Sequence, residues 1–279
     1  METLGSGPLS HSGSALAAFS LAYLSHVCSA RLEAMTGLPF FDERAVERVL
    51  CVAAHPDDLE YGASAAVARW RARGIDVSYL LLTAGEAGMR SRPPHEVAPL
   101  RAGEQRAACR EVGVDDLVIL DFPDGTLEAG LPVREAIAGA IRRTRPQVVL
   151  TQPWDLDVSW GLNHADHRAA GIATVDAIRD ADNPWVFPGL REQGLEAWGT
   201  RWLLVAGAEP DHLIDVSGEP LEQAVRSLQA HREYLAEIGG DFDPRAMLEE
   251  VTAAAAARAA PAARGSVTHA LGVKAYRMG

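Results

Sequence analysis

The stretch that decides the fold is Val49–Gly62, "VLCVAAHPDDLEYG". Six largely apolar residues lead into His55, Pro56, Asp57 and Asp58, with Glu60 one position further on. A short apolar run bounded by turn residues reads as a strand covered on both faces. Its polar half sets an imidazole beside two adjacent carboxylates at the strand's end. In open parallel sheets ligands bind outside the carboxyl ends of the strands, so the cluster sits where chemistry is expected.

Outward from that stretch the same alternation repeats. "VSYLLLTA" (77–84), "LVILDF" (117–122) and "VVLTQ" (148–152) are further apolar strands. Residues 63–73, 99–112, 133–144 and 164–181 read as helices, the first three stopped by Gly74, Gly113 and Pro146. Strand–helix alternation predicts an α/β fold with a mostly parallel sheet and right-handed crossovers. Beyond residue 184 the pattern loosens. Residues 202–208 and 212–216 read as two strands forming a hairpin, 220–238 as one helix and 252–263 as an alanine-rich helix. The ending "HALGVKAYRMG" reads as a late strand. Neither a repeat nor a linker is visible. Residues 35–279 are therefore expected to form a single domain, with 1–34 an N-terminal extension.

Composition narrows the function. A formal charge of -12 argues against a nucleic-acid partner, because phosphate binding needs basic surface. Cys28, Cys51 and Cys109 form no C-x-x-C pair, which disfavours a disulfide scaffold or a zinc ribbon. Scattered cysteines favour a reducing cytoplasm. Ser14–Ala30 is apolar and ends in small residues, but the first basic residue is Arg31, so an export signal lacks its positive segment. The run is also too short and polar to span a membrane. A cytoplasmic protein without stable membrane insertion is expected, with 1–34 an accessory helix or sequence upstream of a start at Met35. No G-x-G-x-x-G follows the first strand and no G-x-S-x-G occurs anywhere, which excludes a dinucleotide fingerprint and a nucleophile elbow.

The other strand ends carry "TAGEAGMR" with Glu86 and Arg90, "DFPDGTL" with Asp121 and Asp124, and "QPWDLDVSWGLNHADHRAAG" with His164, Asp166 and His167. A catalytic zinc takes three imidazole or carboxylate ligands and leaves a fourth position open. His55 and Asp58, three apart across a proline-held turn, converge on one ion, and His164 or His167 supplies the third ligand. Asp57 does not point the same way as its neighbour Asp58, so it is free to act as a general base toward water activated by the ion. Each motif alone has an ordinary reading: a turn whose aspartates cap the next helix, or a solvated helix start. Both together on one sheet rim point to function, since polar groups that cost stability cluster at functional sites.

"AAHPDDLEYG", "TAGEAG", "PDGTL" and "NHADHRAAG", in that order across residues 47–180, with the ending "VKAYRM", resemble the LmbE-like (PIG-L) family of zinc-dependent N-acetylglucosamine deacetylases. The resemblance implies a Rossmann-like three-layer αβα fold and hydrolysis of an acetamide on an amino sugar. It implies one Zn2+ per chain, with Fe2+ as the alternative divalent metal. His55, Asp58 and His167 are then the metal ligands and Asp57 the general base. His164 faces the substrate carbonyl, and Asp166 tunes that histidine by hydrogen bonding, holding it charged against the oxyanion. Arg90 and Asp124 are expected to bind substrate, although Pro-Asp-Gly is also a turn signal. Glu60 is expected to orient the first motif. Trp154, Trp160 and Trp185 read either as an apolar wall for a sugar or as ordinary packing, and residues 183–199 as a pocket roof. The expected partner is a small amino sugar or glycoconjugate, and an oligomer is compatible with the sequence. The alternatives are an amidase for thiol-sugar or lipid- or peptide-bearing sugar conjugates, and a sugar-binding protein without turnover.

Overall fold

A computed structural model describes residues 37–263 and 265–279. The N-terminal extension 1–34 lies outside the described residues. The core of the fold is β1 (Arg48–Ala53), β2 (Asp76–Leu81), β3 (Asp116–Ile119), β4 (Val148–Thr151), β7 (Trp202–Ala206), β8 (His212–Asp215) and β9 (Ala270–Arg277). They form one sheet in the order β3-β2-β1-β4-β7-β9-β8. A small hairpin, β5 (Asp157–Val158) with β6 (Gly161–Leu162), stands apart from it. The first five sheet strands are parallel, and β9 runs antiparallel to both its neighbours.

β1 shows why the sheet is buried on both faces. Val49, Cys51 and Ala53 pack into one core, with Trp70 and Val67 of the helix Ser64–Ala72 and Leu221 and Leu228 of the helix Glu219–Gln229. Leu50, Val52 and Ala54 face the opposite core, with Ile137 and Ile141 of the helix Leu131–Thr144 and Ala173 and Ala177 of the helix Ala165–Asp182. The side-chain period of two divides one apolar run between two helical layers. The three-layer αβα arrangement expected from the sequence is thereby present. The chain builds β1, β2 and β3 outward on one side, then returns to lay β4 on the other side of β1. The order of strands reverses between β1 and β4, and a crevice opens at such a switch point.

Four local expectations are corrected. The strands β7 and β8 do not pair, because β9 inserts between them and hydrogen-bonds to both. The stretch 220–238 is two helices, Glu219–Gln229 and Arg232–Ile238, interrupted at the fully buried His231. The helix expected from Pro99 starts at Pro94 and carries Pro99 inside it. The alanine-rich helix is Pro244–Ala256, capped at its start by Asp243, whose carboxylate accepts from Arg245 N and Ala246 N.

A fifth correction concerns residues 183–199, which form no roof over the crevice. They follow the carboxyl end of the helix Ala165–Asp182, whose amino end carries the histidines, and they lead into the amino end of β7. Arg142 pins them there. Its side chain, 1% exposed, donates to the carbonyls of Asp180, Ala181, Asn183 and Val186. Trp198 Nε1 donates to Pro146 O, on the same edge. Arg142→Met leaves those buried carbonyls unpartnered and is expected to destabilise the fold by about 3 kcal/mol in urea unfolding.

Candidate active site

The crevice holds His55, Asp57 and Asp58 from the end of β1, Asp124 from the loop after β3, and His164, Asp166 and His167 at the start of the helix Ala165–Asp182. The rings of His55, His164 and His167 form a near-equilateral triangle, with centroids 5.3–5.4 Å apart. Two groups there are able to share an ion, with ligand atoms all within 4.8 Å of one another: His55, Asp58 and His167, or His55, His164 and Asp166.

Hydrogen bonds separate the two groups. Asp166 is fully buried, and its oxygens accept from Gly125 N (2.7 Å) and Leu127 N (3.1 Å), with His55 Nε2 3.2 Å away. His164 Nδ1 accepts from Asp166 N (3.2 Å). The second group is thus engaged in holding the loop after β3 and starting the helix. In the first group Asp58 Oδ2 accepts from His55 N at 2.7 Å, and both its carboxylate oxygens face imidazoles: Oδ2 lies 3.4 Å from His55 Nδ1 and Oδ1 lies 3.1 Å from His167 Nε2. His55 Nε2 also faces Asp124 Oδ1 at 3.0 Å. Carboxylates on Nε2 fix the proton there and leave Nδ1 toward Asp58.

The charge pattern suits a cation. Burial lowers the pKa of His55, but Asp58, Asp124 and Asp166 outweigh it and push it up to about 12. Burial raises Asp58, and the two imidazoles overcome that and hold it well below the usual carboxylate range. Three carboxylates around one ring make a nest that needs positive charge.

Asp57 is built differently. It is 4% exposed, and one oxygen, Oδ2, is buried without a hydrogen-bond partner. Burial pushes its pKa up to about 7 against the pull of Arg101, whose Nη2 is 3.3 Å from Oδ1. Its backbone is left-handed, with φ of 79°. That conformation costs about 1–3 kcal/mol in a residue with a side chain, and such strain gathers at functional sites.

Several expected roles shift. The carboxylate of Asp166 does not reach His164; it reaches His55 and the loop amides instead. Burial, then the neighbouring His55 and His167, lower the pKa of His164 and outweigh Asp166, which raises it as expected. Asp124 does not open onto free space: Oδ1 faces His55, and Oδ2 accepts from Ala87 N at 2.7 Å. Glu86 returns the contact by accepting from Asp124 N at 2.9 Å, so the loops after β2 and β3 clasp one another. Arg90 is exposed on the loop after β2, and no contact joins it to the histidines. Of the three tryptophans, Trp154 packs on Tyr276, Trp185 lies at the far edge with residues 183–199, and Trp160 stands on the β5–β6 hairpin leading to His164. Trp160 is 58% exposed and rests against Gly207, where a Cβ would come within 2.8 Å of the ring.

The sequence reading missed Arg101, Gln105 and Tyr234. A signal was there. In the helix Pro94–Glu111 the buried stripe is Val97, Arg101, Gln105, Ala108 and Cys109. Two polar residues occupy positions that helical spacing reserves for apolar ones.

Comparison with known proteins gives the family. Residues 50–178 match the family described as PIG-L: GlcNAc-PI de-N-acetylase. A diacetylchitobiose deacetylase of Thermococcus kodakarensis is 33% identical over 201 residues, covering 69% of this chain and 71% of the relative. The N,N'-diacetylchitobiose deacetylase structure from Pyrococcus horikoshii matches with a TM-score of 0.73 at 20% identity, covering 84% of this chain and 85% of that one. A 4-carboxy-2-hydroxymuconate hydratase from Pseudomonas putida matches with a TM-score of 0.66 at 18% identity, covering 82% and 95%. At those identities the structural likeness shows the fold alone. The sheet, the site and the sequence relatives define an enzyme of the amidohydrolase class, a deacetylase. The chain belongs to the PIG-L family.

Proposed function

We propose that the chain hydrolyses the N-acetyl group of an amino sugar or GlcNAc-containing conjugate, with Zn2+ held by His55, Asp58 and His167. The carrying observation is the pairing of that ligand group with a buried, strained Asp57 whose Oδ2 has no partner. Two imidazoles and one carboxylate are the donor set of a catalytic zinc with three protein ligands, and the surrounding carboxylates favour a divalent cation. When bound, the ion supplies Lewis acidity to water and to the amide carbonyl.

The chain's own residues supply the proton transfers. Asp57 takes a proton from the attacking water on its carboxylate and returns it to the departing amine, a role suited to a carboxyl raised toward neutral pH. Arg101 Nη2, 3.3 Å from Oδ1, holds the carboxylate in place. His164 accepts the Asp166 N–H at Nδ1, so its neutral ring carries the proton at Nε2. That N–H donates to the oxygen of the tetrahedral intermediate, replacing the charged donor expected from sequence. Asp124 and Asp166 orient His55.

The substrate reading draws support from the T. kodakarensis relative, named for diacetylchitobiose, and from the family description, named for GlcNAc-PI. No described helix is long and apolar enough to cross a membrane. An amine-release screen over N-acetylglucosamine, diacetylchitobiose, GlcNAc-inositol and lipid- or peptide-linked GlcNAc tests the function. Turnover of at least one is expected, with about one zinc per chain by elemental analysis. A zinc-loaded protein that releases amine from none of them would refute the reading.

A further inference from the structure

One peptide bond, between Pro56 and Asp57, is gripped at both ends by one helix. Its carbonyl accepts from Arg101 Nη2 at 2.6 Å, and its N–H donates to Gln105 Oε1 at 2.9 Å. Arg101 and Gln105 are four residues apart in the helix Pro94–Glu111, hence on one face, and are 2% and 0% exposed. Arg101 is itself fixed. Its Nη1 donates to Gly85 O at 2.9 Å, its guanidinium lies 3.9 Å from the centre of the Tyr234 ring, and Gly85 leaves no room for a Cβ beside it. Holding both ends of a peptide plane sets its rotation. That rotation is the φ of Asp57, the left-handed 79° that aims its carboxylate.

Gln105 can present either end of its amide, and Glu60 selects which. Gln105 Nε2 donates to Glu60 Oε1 at 3.1 Å, so the amide oxygen faces Asp57. Glu60 is fully buried, Ser227 Oγ donates to the same oxygen at 3.3 Å, and His231 Nε2 lies 3.6 Å from the other. That bond takes the amide nitrogen toward Glu60 and leaves the amide oxygen for Asp57 N–H. Neither Gln105 nor Glu60 hydrogen-bonds to His55, Asp58 or His167.

We propose that Gln105, oriented by the buried Glu60 carboxylate, is a positioning residue that aims the Asp57 carboxylate through the Pro56–Asp57 peptide. This rests on Asp57 being the general base. Nothing in the metal-ligand group needs to move for it to operate.

The test is a double-mutant cycle on zinc-loaded full-length enzyme, with kcat, KM, zinc content and melting temperature measured for every variant. Gln105→Leu and Gln105→Glu are each expected to lower kcat about 100-fold, the effect of misplacing a reacting group by roughly 1 Å, with KM and zinc content unchanged. The exchange Gln105→Glu with Glu60→Gln restores the bonds: the carboxylate at 105 accepts from Asp57 N–H, and the amide at 60 donates to it. It is expected to return kcat to within about three-fold of wild type, as coupled neighbours behave in such cycles. In an Asp57→Ala background Gln105→Leu is expected to change nothing further, because it acts only through Asp57. A folded, zinc-loaded Gln105→Glu variant with wild-type kcat, or a double exchange no faster than that single variant, overturns the proposal and leaves the deacetylase reading standing. Wild-type enzyme without turnover on the whole substrate panel overturns both.

Discussion

Asp57→Asn is expected to lower kcat about 10³-fold, within the range that a positioned general base contributes, while zinc content stays at that of the wild type. The substitution keeps shape and volume and removes the carboxylate's charge, and with it the ability to take a proton. Asp58, one residue on, faces His55 Nδ1 and His167 Nε2, and Asp57 faces neither. The two adjacent aspartates diverge because Asp57 is left-handed, so the ligand group is independent of Asp57's charge. Stability is expected to hold or rise. The native carboxylate is buried with one oxygen unpartnered, and an uncharged amide is cheaper to bury. Steady-state amine release, elemental analysis and a thermal melt on one preparation give all three readings. Asp57→Asn with wild-type kcat would remove Asp57 from the chemistry. Loss of zinc alongside loss of rate would instead make it a ligand.

Much of this site was legible because its chemistry is local in sequence. His55, Asp57 and Asp58 lie within four residues, His164 and His167 within four more, and each set follows an apolar strand. A parallel sheet then brings the two sets together without further information, since strand ends on either side of the switch point face one crevice. The contacts that were not legible are those whose partner depends on a side-chain direction. Asp166 is two residues from His164, yet its carboxylate turns toward His55 and the loop after β3. At a helix start the backbone N–H groups are free, and the one at Asp166 reaches His164 Nδ1. Asp124 was read as a turn residue open to substrate. The turn is real, but the loop after β2 crosses it and takes Oδ2 through Ala87 N.

The same limit applied to the fold. Strands β1 to β4 were read correctly in number and direction because each is a continuous apolar run between turn residues. The β7–β8 pairing failed because two strands close in sequence were assumed to be neighbours in space. β9 comes from the far end of the chain and inserts between them, which no local pattern reports. Residues 183–199 were given a functional role on loop composition alone. Their position follows from arithmetic: an 18-residue helix carries the chain about 27 Å from the histidines.

His167→Ala is expected to leave the protein folded, below about 0.1 zinc per chain and without measurable deacetylation, because three protein ligands are the usual minimum for a catalytic zinc. His167 is the one member of the group at the edge of the cluster, with a side chain 22% exposed, against 10% for His55. Its removal deletes one bond to Asp58 and opens little core. In metal-free protein a proton on His55 balances Asp58, Asp124 and Asp166, which is why that ring is pushed up to about 12. The carboxylate nest therefore survives without the ion, and chelator-treated wild type and His167→Ala are expected to melt within a few degrees of each other. They differ when zinc is returned. Wild type gains stability by mass action in proportion to the logarithm of zinc over its dissociation constant, and the variant does not. Calorimetry with and without added zinc reads this directly, without an activity assay. A variant that still melts higher on zinc addition, and still holds one ion per chain, would place the metal on His55, His164 and Asp166 instead. That outcome would leave Asp166 unable to hold Gly125 and Leu127 in their present positions.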